Sequence, residues 1–109
     1  MYGSLQNRLM EGRQTQEPYV GMGATKVLYS DRRAYTVSRI KSKCRIIVQR
    51  DRVIREPDYN YFGNQHCRFE PDPEGYEVEL IKTKKGWKVL GGSTYFTLGV
   101  RDEYEDPSF

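Results

Sequence analysis

From residue 24 onward, apolar and polar positions alternate with a period of two, interrupted at short polar intervals, and this rhythm predicts strands rather than helices. Ala24–Tyr29 (ATKVLY) and Ala34–Lys41 (AYTVSRIK) are rich in β-branched and aromatic residues. Ser30-Asp31-Arg32-Arg33 between them has turn chemistry at its first two positions, so the two segments form a hairpin. Ser42-Lys43 gives a second tight connection into Cys44–Asp51 (CRIIVQRD). There Cys44, Ile46 and Val48 face one way while Arg45, Ile47 and Gln49 face the other.

Further along, Pro57–His66 (PDYNYFGNQH) has no sustained period and many turn formers, and reads as an ordered, aromatic-bearing loop. Cys67–Glu70 is a short strand ending at Asp72-Pro73-Glu74-Gly75, which fits a type I turn. Tyr76–Lys82 alternates well, Lys84-Lys85-Gly86 turns it into Trp87–Val89, and Gly91-Gly92 precedes a last strand over Thr94–Val100. Ahead of all these, Ser4, Leu5, Leu9, Met10 and Gly12 mark a short capped helix over residues 4–12, followed by a polar linker to Pro18. Residues 1–18 are thus a helix and linker, and residues 19–109 one β domain. Six or seven short strands at this length predict an all-β fold, a small, strongly bent barrel of SH3-like or related topology.

Composition narrows the picture. Leu, Ile, Val and Phe make up 23 of 109 residues, a thin core that the nine Tyr and one Trp supplement with large buried area. A thin core in a domain this small favours a homo-oligomer. Cys44 and Cys67 have no metal-ligand or redox-motif spacing, no signal-like segment opens the chain, and no apolar run is long enough to cross a bilayer. The expectation is a cytoplasmic protein away from membranes, with no metal and no cofactor.

Charge changes it further. The net charge of +3 divides into 0 for residues 1–18, +7 for residues 19–69 and −4 for residues 70–109. Ser30–Arg55 alone carries seven Arg and two Lys against two Asp. Guanidinium forks match phosphate oxygens, and aromatic rings beside them suit stacked bases. Arg32, Arg33, Arg45, Arg50, Arg52 and Arg55, with Tyr59, Tyr61 and Phe62 in the following loop, are therefore the candidate ligand-binding residues. Two plainer readings stand beside this one: Arg50, Asp51 and Arg52 as ordinary exposed ion pairs, and the loop aromatics as a cap on one barrel end. Gly21-Met22-Gly23-Ala24 lacks the Lys and the helix of a phosphate loop and reads as a strand entry with close backbone approach. His66 and Cys67, adjacent in extended chain, point opposite ways and form no catalytic dyad together, so no catalytic residues are expected. The acidic stretch Asp102–Asp106 lacks the spacing of a calcium loop and reads as a solvated or subunit-docking tail.

The pattern of Gly21–Thr25 (GMGAT), Ser30–Arg32 (SDR), Ala34–Val37 (AYTV), Val48–Asp51 (VQRD), Phe69–Gly75 (FEPDPEG) and Arg101–Phe109 (RDEYEDPSF) resembles a group of small proteins encoded by bacteriophages and their bacterial hosts. The resemblance implies a phage or prophage setting, in which so small a protein is more often a binder or inhibitor than an enzyme. Together these features point to a non-enzymatic protein that sequesters a phosphorylated, nucleotide-type ligand, such as a host signalling nucleotide used in antiviral defence. RNA or DNA binding through an SH3-like or OB-like surface is one alternative, although +3 is a weak charge for a polymer binder. A protein-interaction module that inhibits a host enzyme is the other.

Overall fold

The computed structural model describes residues 17–107, and within them the alternating rhythm becomes eight strands. These are β1 (Gly23–Val27), β2 (Arg32–Ser42), β3 (Arg45–Arg50), β4 (Arg52–Arg55), β5 (Cys67–Glu70), β6 (Glu77–Thr83), β7 (Gly86–Val89) and β8 (Tyr95–Leu98). Six of them, in the order β1-β2-β3-β6-β7-β8, form a closed antiparallel barrel, and β4 pairs with β5 as a separate two-stranded ribbon inserted between β3 and β6. The expected all-β barrel is therefore present. The expected helix over residues 4–12 lies outside the described residues.

Closure follows from the register. Ala24 pairs with Tyr35 on one side and with Leu98 of β8 on the other, so β1 joins the two ends of the meander. Residues two apart share a face, and the inward row contains Ala24, Tyr35, Val37, Ile46, Val48, Leu80, Trp87, Phe96 and Leu98, each at most 5% exposed. Met22 closes the row ahead of β1. The Tyr35 and Phe96 rings meet edge to face at 4.9 Å, the geometry their quadrupoles favour. Register shifts on both sides of Arg39–Ile40 bend the long strand β2, as bulges do where a small barrel must turn sharply.

The turns match their sequence chemistry. Gly75 N–H donates to Asp72 O at 2.9 Å and Glu74 N–H to the Asp72 carboxylate, as the Asp-Pro-Glu-Gly reading requires. Gly75 is also obligatory by contact: a Cβ there would lie 2.2 Å from the Arg50 carbonyl oxygen. The turn is thereby pressed onto the end of β3, where Arg50 N–H donates to Tyr76 O.

One feature departs from the alternation. Thr25, Ala34, Thr36 and Ile47 point outward from the barrel, yet each is at most 8% exposed. For Thr25, Ala34 and Thr36 the cover is the chain after β8, which returns across β1 and β2. Gly99 N–H donates to Gly23 O, Thr25 Oγ1 to Val100 O, and Arg32 and Tyr104 exchange both backbone hydrogen bonds. The acidic tail is thus a strap docked on its own barrel.

Candidate functional site

The strap explains much of the arginine excess. Glu103 sits between three donors: Arg50 Nη1 and Nη2 each reach one of its carboxylate oxygens at 2.9 Å, and the Ala34 N–H donates to it at 3.0 Å. Arg33 lies 3.8 Å away and also pairs with Asp31 at 3.3 Å. Such a two-pronged guanidinium–carboxylate contact is the strongest ion-pair geometry available to a side chain. Arg101 extends the strap's hold, donating to Thr36 Oγ1 and to Gly21 O and standing 3.2 Å from Asp51 Oδ2. Asp51, 5% exposed, accepts from Thr36 Oγ1 at 2.5 Å through its other oxygen, while Oδ2 receives no hydrogen bond among the described residues.

The nine candidate residues therefore separate. Arg50 occupies the inward phase of β3 at the barrel mouth, 5.7 Å from the centre of the Tyr35 ring, and belongs to the strap contact. Arg52, although two residues on, belongs to β4, is exposed, and stands 3.8 Å from Asp72. Two residues apart in one strand, Arg50 and Arg52 would share a face, but β3 ends at Arg50 and Asp51 turns the chain into the ribbon. Arg32 donates to the carbonyls of Leu28 and Asp31 and folds against its own hairpin. Arg45 pairs with Glu79 of β6 at 3.4 Å, far along β3 from Arg50.

What the fold does bring together is Arg33, Arg55 and Tyr59. They line a pocket of about 270 Å³ with Val53 and Cys67 of the ribbon, Gln65 of the loop, and Glu103 and Glu105 of the strap. Arg55 lies over the Tyr59 ring, 4.5 Å from its centre, and makes no ion pair among the described residues. Gln65 ties loop to strap, exchanging hydrogen bonds with the Glu105 backbone at 2.7 and 3.0 Å. Tyr61 and Phe62 leave the pocket for the loop tip, where their rings meet edge to face at 5.0 Å and Phe62 is 78% exposed. Burial, with the Glu103 and Glu56 carboxylates, pushes the Cys67 thiol above its ordinary value against the pull of Arg55. That environment is opposite to the one an activated thiolate needs. A larger, more open recess of about 500 Å³ adjoins on Ser30, Arg32, His66 and Tyr104.

Gln65, Glu103 and Glu105 escaped the sequence reading. The available signal was the spacing of Glu103 and Glu105, two apart in a run that an extended chain would present to one side, opposite in charge to residues 19–69. No group of three or more metal-ligating side chains occurs among the described residues, and no helix among them is long and apolar enough to cross a membrane. No protein-family profile, curated protein or solved structure matches the chain.

Proposed function

We propose that the protein is a non-enzymatic binding module that holds a small phosphorylated, ring-bearing ligand of nucleotide type in the pocket between the β4–β5 ribbon and the strap. The observation that carries this reading is Arg55: a guanidinium stacked on Tyr59, unpaired with carboxylates among the described residues, opening on a partly open pocket. Arginine against an aromatic face is an arrangement that stacks bases and grips phosphate. At about 270 Å³ the pocket lies just below the range of roughly 300–1,000 Å³ typical of small-molecule sites, which suits one ring with one phosphate better than a dinucleotide. Gln65, whose amide donates to the Tyr61 and Glu105 carbonyls, fixes the loop wall of the pocket. In the phage setting suggested by the sequence resemblance, the purpose is sequestration of a host nucleotide signal, by a protein acting in the host cytoplasm as a homo-oligomer.

The polymer reading is weakened by the dispersal of the arginines, since Arg45, Arg50 and Arg52 each face a different carboxylate rather than one stripe. The protein-partner reading keeps one observation in its favour, the exposed Phe62 beside Tyr61 at the loop tip. Isothermal titration with linear and cyclic nucleoside monophosphates, beside fluorescence anisotropy with single- and double-stranded oligonucleotides, separates the three. A nucleotide bound with shallow salt dependence, and weakened at least about tenfold by Arg55→Ala or Tyr59→Ala, is the expected result. Oligonucleotide binding that falls on the order of a thousandfold between 50 and 200 mM salt would assign the surface to nucleic acid instead.

A further inference from the structure

The environment of Glu103 is that of an anion receptor. A guanidinium fork supplies two donors at 2.9 Å, a backbone N–H supplies a third at 3.0 Å, and a second guanidinium stands at 3.8 Å. Planar forks and main-chain amides are the groups that proteins direct at phosphate and carboxylate alike. Here the anion is supplied by the chain itself. Glu103 lines the pocket that also holds Arg55 and Tyr59, whereas Arg50 does not line it and meets Glu103 directly. A group entering from the pocket would therefore encounter Glu103 before Arg50.

We propose that Arg50, the Ala34 N–H and Arg33 form an anion-binding seat that Glu103 fills as an internal stand-in, and that the ligand's phosphate enters by displacing this carboxylate. The inference rests on the pocket reading above and adds the way the pocket charges itself. With Glu103 in place, the pocket's two guanidinium groups face two carboxylates, and a phosphate gains little. Once Glu103 leaves, Arg50 and a backbone donor are added and one negative charge is removed. A phosphate carries about −1.5 to −2 charge and three acceptor oxygens, so it satisfies the seat better than a single carboxylate does. A tethered carboxylate competes at high effective concentration, so a free anion exchanges with it efficiently only when a ring held by Arg55 and Tyr59 adds its own binding. Selectivity for ligands carrying both ring and phosphate follows. The observed affinity is lowered by the fraction of molecules in which the seat is vacant.

Glu103 is followed by Tyr104, whose backbone pairs with Arg32, and then by Glu105, whose backbone pairs with Gln65. Displacement of the Glu103 side chain thus has a readout in the strap. The test is titration of inorganic phosphate into the wild type, Glu103→Ala and Glu105→Ala, followed by amide resonances. Glu105→Ala removes the same charge from the same pocket without vacating the seat. The expected result is phosphate bound at the Ala34 amide and the Arg50 side chain at least about tenfold more tightly in Glu103→Ala than in Glu105→Ala. Equal affinity in the two variants would overturn the seat. If Glu103→Ala does not fold, hydrogen exchange in the wild type decides: a saturating nucleoside monophosphate should release the Tyr104 and Glu105 amides. A nucleotide that binds with those amides still protected would overturn displacement while leaving the pocket reading intact. A seat that takes phosphate in Glu103→Ala, in a protein that binds no nucleotide, would support the seat and remove the ligand class.

Discussion

Arg50 and Arg52 look equivalent on paper, and replacing each by Ala gives the sharpest prediction of their difference. The Arg50 and Glu103 side chains are 22% and 17% exposed and joined by two hydrogen bonds of 2.9 Å. Breaking a fully buried pair of this kind costs about 3–5 kcal/mol, and hydrogen bonds to charged groups are worth about 1.5–3 kcal/mol. Water reaches roughly a fifth of each side chain here, so Arg50→Ala should cost about 2–3 kcal/mol. For a domain near 100 residues each kcal/mol lowers Tm by about 4–8 °C, which gives a fall of about 8–24 °C. Arg52 is 57% exposed and 3.8 Å from Asp72, and its removal should cost less than about 0.5 kcal/mol, a change of a few degrees at most. Denaturant unfolding of both variants, with the Arg50→Ala/Glu103→Ala double mutant completing a cycle, measures the coupling directly. Equal effects at the two positions, or a coupling near zero for Arg50 and Glu103, would refute the strap contact.

Three further outcomes follow from particular contacts. Gly75→Ala should destabilise by at least about 1–3 kcal/mol because its Cβ meets the Arg50 carbonyl, whereas Gly63→Ala, with Asn60 no closer than 3.4 Å, should change unfolding free energy by less than about 0.5 kcal/mol. Burial and the 2.6 Å hydrogen bond with Tyr76 hold the Tyr35 phenol well above the ordinary value near 10, so above that pH the unfolded chain releases a proton that the folded chain keeps. Stability should therefore be intact below about pH 10 and fall above it, and Tyr35→Phe should remove up to about 1.4 kcal/mol per pH unit of that decline, read from urea titrations at pH 9–11. At pH 8 iodoacetamide should alkylate exposed Cys44 before Cys67, whose thiol is pushed up by burial, and peptide mass spectrometry would show the reverse order if that environment were wrong.

The barrel strands were legible because one of their faces is apolar: Val37, Ile46, Val48 and Leu80 recur at the period that extended chain dictates. Their order around the barrel follows chain order, so short turns indicate neighbours; Lys84-Lys85 turns as expected, while the turn expected at Ser42-Lys43 falls one residue later, at Lys43-Cys44, and leaves Cys44 exposed rather than facing the core. The ribbon is legible by half: Cys67–Glu70 reads as a strand with the bounds it has in the structure, whereas Arg52–Arg55, four residues with an exposed charge at each end, is set off from β3 by the single residue Asp51 and does not. Of the nine candidate residues, Arg33, Arg55 and Tyr59 converge on one pocket, whereas Arg32, Arg45, Arg50, Arg52, Tyr61 and Phe62 are held elsewhere. The division of charge between residues 19–69 and 70–109 suggests an anionic partner or charge-matched self-association, whereas in the structure Arg33 and Arg50 of the first part meet Glu103 of the second within one molecule. Composition records that opposite charges exist; only the path of the strap across β1 and β2 decides whether they meet within one molecule.

The most direct measurement of the central claim is an amide and side-chain resonance map of the protein titrated with nucleoside monophosphates at 150 mM salt. The expected result is a saturable shift of the Gln65 side-chain amide, the Arg55 side chain and the Tyr59 ring, lost in Arg55→Ala with the fold preserved. No shift at these groups, or shifts spread over Arg45, Arg52 and Lys41 instead, would contradict a ligand pocket between ribbon and strap.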